Sequence, residues 1–307
     1  MIPRDPPAAM PLKALRAIHD VLREDTQPAR PLRIVDVGAN PVNTPDYAGL
    51  LAMGWCEVWG FEPNETAFAA LQAEPVEGAH YFNSAVGAPG PSEFHVHPQS
   101  ALSSGYPVSG PSARYLGRPL WAEPETGAIE TVQMDLVALD DLDDLPAPDV
   151  LKIDIQGGEL DVFRHGRKKL AECVAVVSEV RFYRIYEDEP LWAEVDLELR
   201  SQGFALNKIQ FAKTTTVKNS RRRWLRHRGQ GSQMVDGDAV YIRNPEGISE
   251  WSDEQVRQLA IAAGCVFQSH DVACMCLDEL VRRDLAPSGV TRRYVNALPR
   301  YIAEAAE

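Results

Sequence analysis

Long apolar runs and a secretion signal are missing from this 307-residue sequence. No stretch approaches the ~20 apolar residues that cross a bilayer, and the first residues lack the basic start and apolar core of a signal peptide. Cysteine is scarce too, with five residues at scattered positions. An odd, scattered set favours reduced thiols over a disulfide framework. We therefore expect a protein without a membrane span that works in the cytoplasm.

Positive charge is also in the minority. The chain has 31 Lys and Arg residues against 44 Asp and Glu residues, which gives a net charge of −13. Because nucleic acids and anionic membranes are bound through basic surfaces, this balance argues against both as general partners. The hydrophobic fraction of 45% is close to the globular average, so a packed core is expected.

The spaced glycines of a dinucleotide site are absent as well. Arg33 to Asn40 (RIVDVGAN) reads as a strand that turns at Gly38 towards a helix. Open α/β sheets bind ligands at such turns, although an ordinary turn would look the same. The pattern G-x-G-x-x-G does not follow, which argues against a pyrophosphate. Glu62 still ends the next predicted strand, where a carboxylate can accept hydrogen bonds from ribose hydroxyls. S-adenosylmethionine is the commonest cofactor with a ribose and no pyrophosphate.

Strand-like runs alternate with helical patterns along most of the chain. This alternation predicts a doubly wound, mostly parallel α/β sheet. The predicted strands cover residues 34–37, 57–61, 79–82, 92–97, 149–154, 173–180, 204–211 and 239–242. The alternating strand 92–97 is expected to extend the edge of the sheet next to 79–82. Predicted helices include 12–24, 159–170, 191–201, 252–263, 271–284 and 291–306.

The pattern suggests three consecutive regions. They are an N-terminal tail and helix over 1–28, an α/β domain over 29–244 and a helical C-terminal extension over 245–307. The terminal helices could form a lid, pack on the sheet or pair two copies. A homodimer is the expectation that their apolar content favours.

Two segments interrupt the α/β pattern. Residues 98–128 are rich in Pro, Gly and Ser, as expected of a lid, a binding loop or a disordered segment. A basic insertion over 213–237 contains Arg221 to Arg228, with five arginines and Trp224. Arginine forks suit phosphate or carboxylate groups, and the indole could stack on a sugar. A solvated loop is the alternative interpretation.

Several short motifs together resemble those of FkbM-type methyltransferases. The resemblance covers about residues 30–212, and Gln156 stands where the family's KIDxEGxE signature usually has glutamate. The motifs are VDVGAN (35–40), GFEPN (60–64), NSAVG (83–87), LDDL (139–142), VLKIDIQGGELDVFRHG (150–166) and SEV (178–180). The resemblance implies a class I methyltransferase fold, which is a Rossmann-like seven-stranded sheet, with S-adenosylmethionine as the methyl donor. It also implies O-methylation of a sugar or polyketide hydroxyl.

Carried across by position, the resemblance implies a set of cofactor contacts. Asp36, Gly38 and Asn40 would line the methionine side, and Glu62 would hold the ribose. The remaining contacts would come from Pro63 and Asn64 beside the ribose, Ser84 and Ala85 beside the adenine, and Asp154 near the amino group or the acceptor.

Methyl transfer to a hydroxyl needs a group that aligns the acceptor and takes its proton. Asp154, Glu179 and Glu159 are the candidate catalytic carboxylates, although Asp154 could only position the cofactor and Glu159 could only complement a helix dipole. His97 could also act here, but a solvated histidine is the plainer interpretation. His97, Arg181 and Trp224 are candidate contacts for the substrate.

A divalent metal is conceivable, because Asp154 and the acidic run 140–144 carry oxygen ligands, but no metal is predicted. The run is expected to cap a surface helix instead.

The sequence is compatible with three functions. The first is an O-methyltransferase acting on a sugar, a polysaccharide or glycolipid, or a polyketide-like metabolite. The second keeps the cofactor but changes the acceptor to a protein or another molecule; the Asn/Asp-Pro-Pro-Tyr motif of amino-methylating enzymes is absent. The third is a methyltransferase-like binding or assembly protein without activity. Gly38→Val or Asp36→Ala is expected to abolish S-adenosylmethionine binding and to leave the fold largely intact.

Overall fold

The computed structural model describes residues 2–41, 44–225 and 231–303. Its centre is a sheet of seven strands, which are β1 (Leu32–Val37), β2 (Cys56–Phe61), β3 (Ala79–Phe82), β7 (Val150–Ile153), β8 (Ala175–Arg181), β9 (Phe204–Thr215) and β10 (Gln233–Arg243). Their order in the sheet is β3-β2-β1-β7-β8-β10-β9, and β10 runs antiparallel to both of its neighbours. The predicted doubly wound, mostly parallel sheet is therefore confirmed.

Helices cover both faces of this sheet. They are α1 (Leu12–Thr26), α2 (Ala48–Ala52), α3 (Glu65–Ala73), α4 (Gly110–Tyr115), α5 (Glu159–Arg164), α6 (Trp192–Ser201), α7 (Asp253–Cys265), α8 (His270–Arg282) and α9 (Val290–Ala297). Ser252 caps α7 as predicted, since its side chain accepts a hydrogen bond from the amide of Gln255. The helix predicted over 159–170 stops at Arg164. The last helix ends at Ala297, before Pro299, and residues 304–306 of that prediction lie outside the described residues.

The expected extension of the sheet edge by residues 92–97 is wrong. This segment belongs to β5 (Gly90–Val96), which pairs with β6 (Glu130–Val137) in a separate three-stranded sheet. The third member is β4 (Ala85–Val86), which runs parallel to β6. Alternating polarity shows that a strand has one exposed face, but it does not reveal the partner strand. The strand β6 was missed by the sequence analysis.

The terminal helices complete the core on one face of the main sheet. Leu15, Ile18 and Leu22 of α1 pack with apolar residues of α7, α8 and α9 and with β1 residues such as Ile34. The apolar content that suggested a dimer interface is thus used in packing on the sheet. The other face is covered by α5 and α6 around residues such as Phe163.

The segment 98–128 is not a featureless loop. Ser109 caps α4, and Pro111 stands in the first turn, where its missing N–H costs no hydrogen bond. Leu102 and Leu116 are buried against Ile185 and Tyr186 in a third apolar cluster. This segment is therefore anchored beside the end of β8.

The basic insertion is largely a continuation of the β9–β10 hairpin. The two strands pair up to Thr215 and Gln233, which lie inside the predicted insertion. Residues 226–230 lie outside the described residues, so the predicted arginine cluster is described only from Arg221 to Leu225.

Candidate active site

The register of the sheet brings the predicted polar residues to one edge. Val37 of β1 pairs with Phe61 of β2 and with Ile153 of β7, and Ile153 pairs with Ser178 of β8. The residues that follow these four positions are Gly38, Glu62, Asp154 and Glu179. They therefore lie at the carboxyl ends of four adjacent parallel strands, where open α/β sheets bind ligands.

Gly38 is required by the close approach of two strand ends. Its φ of +86° is in the left-handed region, and a Cβ there would lie 2.2 Å from the carbonyl oxygen of Asp154. A side chain at this position would collide with backbone. The expectation that Gly38→Val keeps the fold is therefore wrong, because the variant combines a forbidden φ with that collision.

Asp36 is buried in a hydrogen-bonded network. The hydroxyl of Tyr47 donates to one carboxylate oxygen at 2.6 Å, and the ammonium group of Lys152 lies 2.9 Å from the other. Burial lowers the pKa of Lys152, but the carboxylates of Asp36 and Asp154 outweigh burial and raise it. Contact between Asp36 and a cofactor stays a prediction, and it would require the carboxylate to be shared with Tyr47 and Lys152.

Glu62 has one oxygen available at the end of β2. The amide of Asn64 donates to its Oε1 at 2.8 Å, and no described residue donates to its Oε2. Only 5% of the residue is exposed. Burial raises the pKa of this carboxyl. The hydrogen bond from Asn64 opposes the rise, and the charge of Asp36 adds to it. A carboxylate oxygen without a partner among the described residues, at a strand end, is suited to a ligand hydroxyl.

The neighbouring predicted contacts shape the same edge. Asn64 caps α3 by accepting from the amide of Ala67, and the Asn83 side chain donates to the carbonyls of Glu62 and Pro63. Ser84 is half-buried, and Ala85 is buried where it begins β4. Asn40 follows the turn, with its amide donating to the Gly38 carbonyl. The adenine and methionine roles of these residues stay predictions.

Asp154 is the exposed member of a carboxylate pair. The side-chain amide of Gln156 donates to Asp154 at 2.8 Å and to Glu179 at 2.9 Å. Gln156 itself adopts a φ of +60°, and its carbonyl accepts from the hydroxyl of Ser104. The glutamine thereby fixes two carboxylates around one side chain, while Asp154 remains open to solvent.

Glu179 belongs to a buried charge cluster centred on Arg181. The guanidinium of Arg181 lies 2.9 Å from Glu179, 3.2 Å from Glu189 and 3.1 Å from Asp236. Burial lowers the pKa of Arg181, yet the three carboxylates together raise it above its usual range. Burial raises the pKa of Glu179, and Arg181 opposes that rise. Arg181, predicted as a substrate contact, is only 4% exposed and acts here as a counter-ion.

Glu159 is engaged by backbone. Its carboxylate accepts from the amides of Ile155 and Gly157 at 3.0 Å, which closes the turn between β7 and α5. Glu159 also begins α5, where the helix dipole favours a carboxylate, and its catalytic role stays a prediction.

The side chain of His97 packs against the 98–128 segment that follows it. Its Nδ1 accepts from the amide of Gln99 at 2.9 Å, and its Nε2 lies 3.1 Å from the carbonyl of Trp121. Both ring nitrogens are thus used to fold this segment. Trp224 is 56% exposed on the hairpin loop, where the guanidinium of Arg223 lies 4.0 Å from the indole centroid.

Sequence reasoning missed Asp238, Lys152 and Tyr47. Asp238 lies opposite Glu179 in the β8–β10 register. Burial and the charge of Asp154 raise its pKa to about 7. The predicted strand began only at Ala239, so Asp238 looked like a loop residue. The available signal was the segment VDGDAV (235–240), in which two aspartates interrupt the apolar pattern of the strand.

Metal ligands do not converge in the described part of the chain, where no group of three His, Cys, Asp or Glu side chains could hold an ion. Asp140 accepts from the amides of Lys168 and Lys169, so it caps the short helical turn Lys169–Ala171, in keeping with the expected capping role of the acidic run. All five cysteines are free. None of the described helices combines the length and apolar character needed to span a bilayer.

A mostly parallel seven-stranded sheet that ends in an antiparallel hairpin, with polar side chains at its central strand ends, defines a class I methyltransferase. A family model described as "Methyltransferase FkbM domain" matches residues 36–206, which is more than half of the chain. The chain therefore belongs to the FkbM family of S-adenosylmethionine-dependent methyltransferases. The resemblance read from these short motifs is confirmed.

Solved structures give more distant comparisons. Magnesium protoporphyrin IX methyltransferase from Synechocystis PCC 6803, with bound S-adenosylmethionine, is 10% identical, with 76% of this chain and 79% of that chain covered and a TM-score of 0.36. Precorrin-6y C5,15-methyltransferase from Geobacter metallireducens GS-15 is 14% identical, with 74% and 84% covered and a TM-score of 0.33. No curated protein matches the sequence.

The residues at the sheet edge fit the cofactor. Glu62 offers, at the end of β2, a carboxylate oxygen without a hydrogen-bond partner among the described residues, and such an oxygen can accept from a ribose hydroxyl. The turn at Gly38 brings the ends of β1 and β7 together without a side chain between them. A ligand can therefore approach this backbone closely.

Proposed function

We propose that this methyltransferase transfers a methyl group to a hydroxyl of a sugar or of a carbohydrate-bearing metabolite. The observation that carries the proposal is the exposed carboxylate of Asp154, fixed by Gln156 at the end of β7. A carboxylate at this point can orient a hydroxyl and accept its proton as the oxygen attacks.

The methyl donor supplies, when bound, an electrophilic methyl group on a sulfonium. Glu62 would accept hydrogen bonds from the ribose hydroxyls, and the turn at Gly38 would contact the methionine part. Asp154 would hold the acceptor oxygen in line and take its proton. Glu179 would remain in its ion pair with Arg181 and keep the Gln156 amide aimed at Asp154.

Other carboxylates are less suited to take the proton. The oxygens of Glu159 accept backbone N–H groups, and Glu179 is buried beside a guanidinium. Asp238 has a pKa raised to about 7, which would suit a base, but it is half-buried in β10, whereas Asp154 is exposed. We therefore assign the proton-accepting role to Asp154.

The proposal is tested in two stages. Calorimetry with S-adenosylmethionine should show binding to the folded protein. A labelled-methyl screen over oligosaccharides, sugar phosphates and nucleotide-sugars should then reveal transfer that forms a base-stable methyl ether. Transfer that forms a methylated amine or a base-labile methyl ester would contradict the choice of a hydroxyl acceptor.

A further inference from the structure

An arginine-lined cleft lies between two segments that sequence analysis treated separately. Arg118 comes from the anchored segment 98–128, whereas Arg222 and Arg223 come from the β9–β10 loop, and Asn219 and Ser220 complete the lining. Its volume is about 440 Å³. This volume is within the range of small-molecule sites, roughly 300–1,000 Å³.

Hydrogen bonds from backbone and side chains hold the two segments together. The amide of Lys218 donates to the carbonyl of Tyr115 at 2.8 Å, and the hydroxyl of Tyr115 donates to Gln233 at 3.1 Å. The guanidinium of Arg222 donates to the carbonyl of Gly117, a glycine with a φ of +66°. A Cβ at Gly117 would occupy the position of this guanidinium. The cleft is thus a defined feature of the fold.

The positive charge in the cleft is not neutralised by the described residues. None of their ion pairs includes Arg118, Arg222 or Arg223, and no carboxylate is among the described lining residues. The Nε atom of Arg222 is buried without a hydrogen-bond partner in the described part of the chain. Burial and the nearby charge of Arg118 both lower the pKa of Arg222. Such a group of like charges, in a protein of net charge −13, is stabilised by a bound anion.

A short segment after β8 connects the 98–128 segment with the proposed reacting centre. The ring of Tyr115 is 5.2 Å from that of Tyr183, which follows the end of β8. Three residues later, the hydroxyl of Tyr186 donates to Gln156, the side chain that fixes Asp154. The same short segment therefore contacts both Tyr115, three residues before Arg118 of the cleft, and Gln156 beside the proposed reacting centre.

We propose that this cleft binds a phosphate group of the methyl acceptor. Guanidinium groups from two directions, with the hydroxyl of Ser220, match a tetrahedral group that presents three or four oxygens better than a planar carboxylate with two. The acceptor class is then a phosphorylated or nucleotide-linked sugar. This assignment rests on the proposed function, because it names the acceptor of that reaction.

Inorganic pyrophosphate is the first probe, titrated by calorimetry into the full chain at low salt. Arg118→Gln and Arg223→Gln each remove one charge from an exposed lining residue and should raise the Kd for pyrophosphate roughly three- to tenfold, since each loses a charged hydrogen-bond donor whose contribution is reduced by exposure to solvent. Arg221→Gln is the matched control, because it removes the same charge from a residue of the same loop outside the lining. Equal losses in all three variants would overturn the proposal.

Further ligands separate the sources of the anion. Glucose 1-phosphate and a nucleoside-diphosphate sugar should each show weaker binding to Arg223→Gln than to Arg221→Gln, and their relative affinities decide between a single phosphate and a diphosphate. An oligosaccharide of uronic acids that binds as tightly as either phosphate ligand would overturn the choice of phosphate.

S-adenosylmethionine binding is measured on the same samples. Wild-type protein that binds S-adenosylmethionine but not pyrophosphate would overturn this inference and leave the proposed function standing. Protein that binds pyrophosphate through these arginines but not S-adenosylmethionine would overturn the proposed function instead.

Discussion

The side-chain amide of Gln156 donates a 2.9 Å hydrogen bond to the buried carboxylate of Glu179. The same nitrogen donates to Asp154, so a neutral donor separates two acidic groups. A glutamate at this position, as in the signature that the motif resembles, would place a third acceptor among them. Unless protonated, it could not donate, so the geometry around Asp154 depends on the amide.

Gln156→Glu is therefore expected to destabilise the protein at pH 8 by about 1–3 kcal/mol, because buried acceptors lose their donor and like charges meet. Urea unfolding at pH 8 and pH 5 measures the effect, which should shrink at pH 5 as a carboxyl takes up a proton. Gln133→Glu is the control, since its amide also donates to a glutamate, Glu93, but on an exposed strand. A loss no larger than that of the control would contradict the role given to Gln156.

Asp154→Asn is expected to lower kcat about 10²- to 10⁴-fold, because an amide cannot accept the hydroxyl proton. Binding of S-adenosylmethionine should change little, and the exposed position predicts a fold as stable as the wild type. Rates are measured on an acceptor identified in the labelled-methyl screen. Asp161→Asn, which changes a half-buried carboxylate of α5, is the matched control. Retention of normal turnover in Asp154→Asn would require another base.

Glu62→Gln is expected to weaken S-adenosylmethionine binding about tenfold. The amide oxygen of glutamine can keep the bond from Asn64, whereas the oxygen available to ribose becomes a neutral amide group. Isothermal calorimetry measures the Kd. Glu65→Gln changes an exposed carboxylate three residues further on and should leave the Kd unaltered. An unchanged Kd for Glu62→Gln would remove Glu62 from the cofactor site.

The raised pKa of Asp238 predicts that the free energy of unfolding falls as the pH rises. Its pKa is raised to about 7 in the folded state, against about 3.9 in an unfolded chain, so the folded state binds the extra proton between these values. The free energy of unfolding should therefore decrease from about pH 4 to pH 7 and level off above it. Asp238→Asn should flatten this dependence and stabilise the protein at pH 8 by roughly 1–3 kcal/mol.

Urea unfolding at pH 5 and pH 8 tests this prediction, with the exposed Asp144→Asn as a control. If the free energy of unfolding changes between pH 5 and pH 8 by the same amount in wild type and in Asp238→Asn, the pKa of Asp238 is not raised in the folded protein.

Much of the fold was readable from local patterns. The strand ends at Val37 and Phe61 were predicted because β-branched and aromatic runs stop at residues that turn or cap. Gly38, Glu62 and Asp154 were expected together because parallel strands share a carboxyl edge. The partner of the strand Gly90–Val96 was not predictable in this way, since an alternating pattern is satisfied by any sheet edge.

The protonation and ion-pair partners of the site depended on distant parts of the chain. Arg181 and Asp236 are far apart in sequence, and only the antiparallel register of β8 and β10 makes them a buried pair. The Gly38→Val expectation failed for the same reason, because the colliding atom belongs to Asp154.

The sequence by itself determined the family, the methyl donor and the seven strands of the main sheet, since these rest on short motifs and on periodicity within single elements. The tertiary structure decided which polar groups are free to act. It leaves Asp154 exposed, whereas Asp36 and Glu159 accept hydrogen bonds from other parts of the protein. It also places Arg118 and Arg222 in the lining of one cleft. Hydrogen bonds and charges depend on distances of a few ångströms between residues that are remote in the chain, and local patterns do not contain those distances.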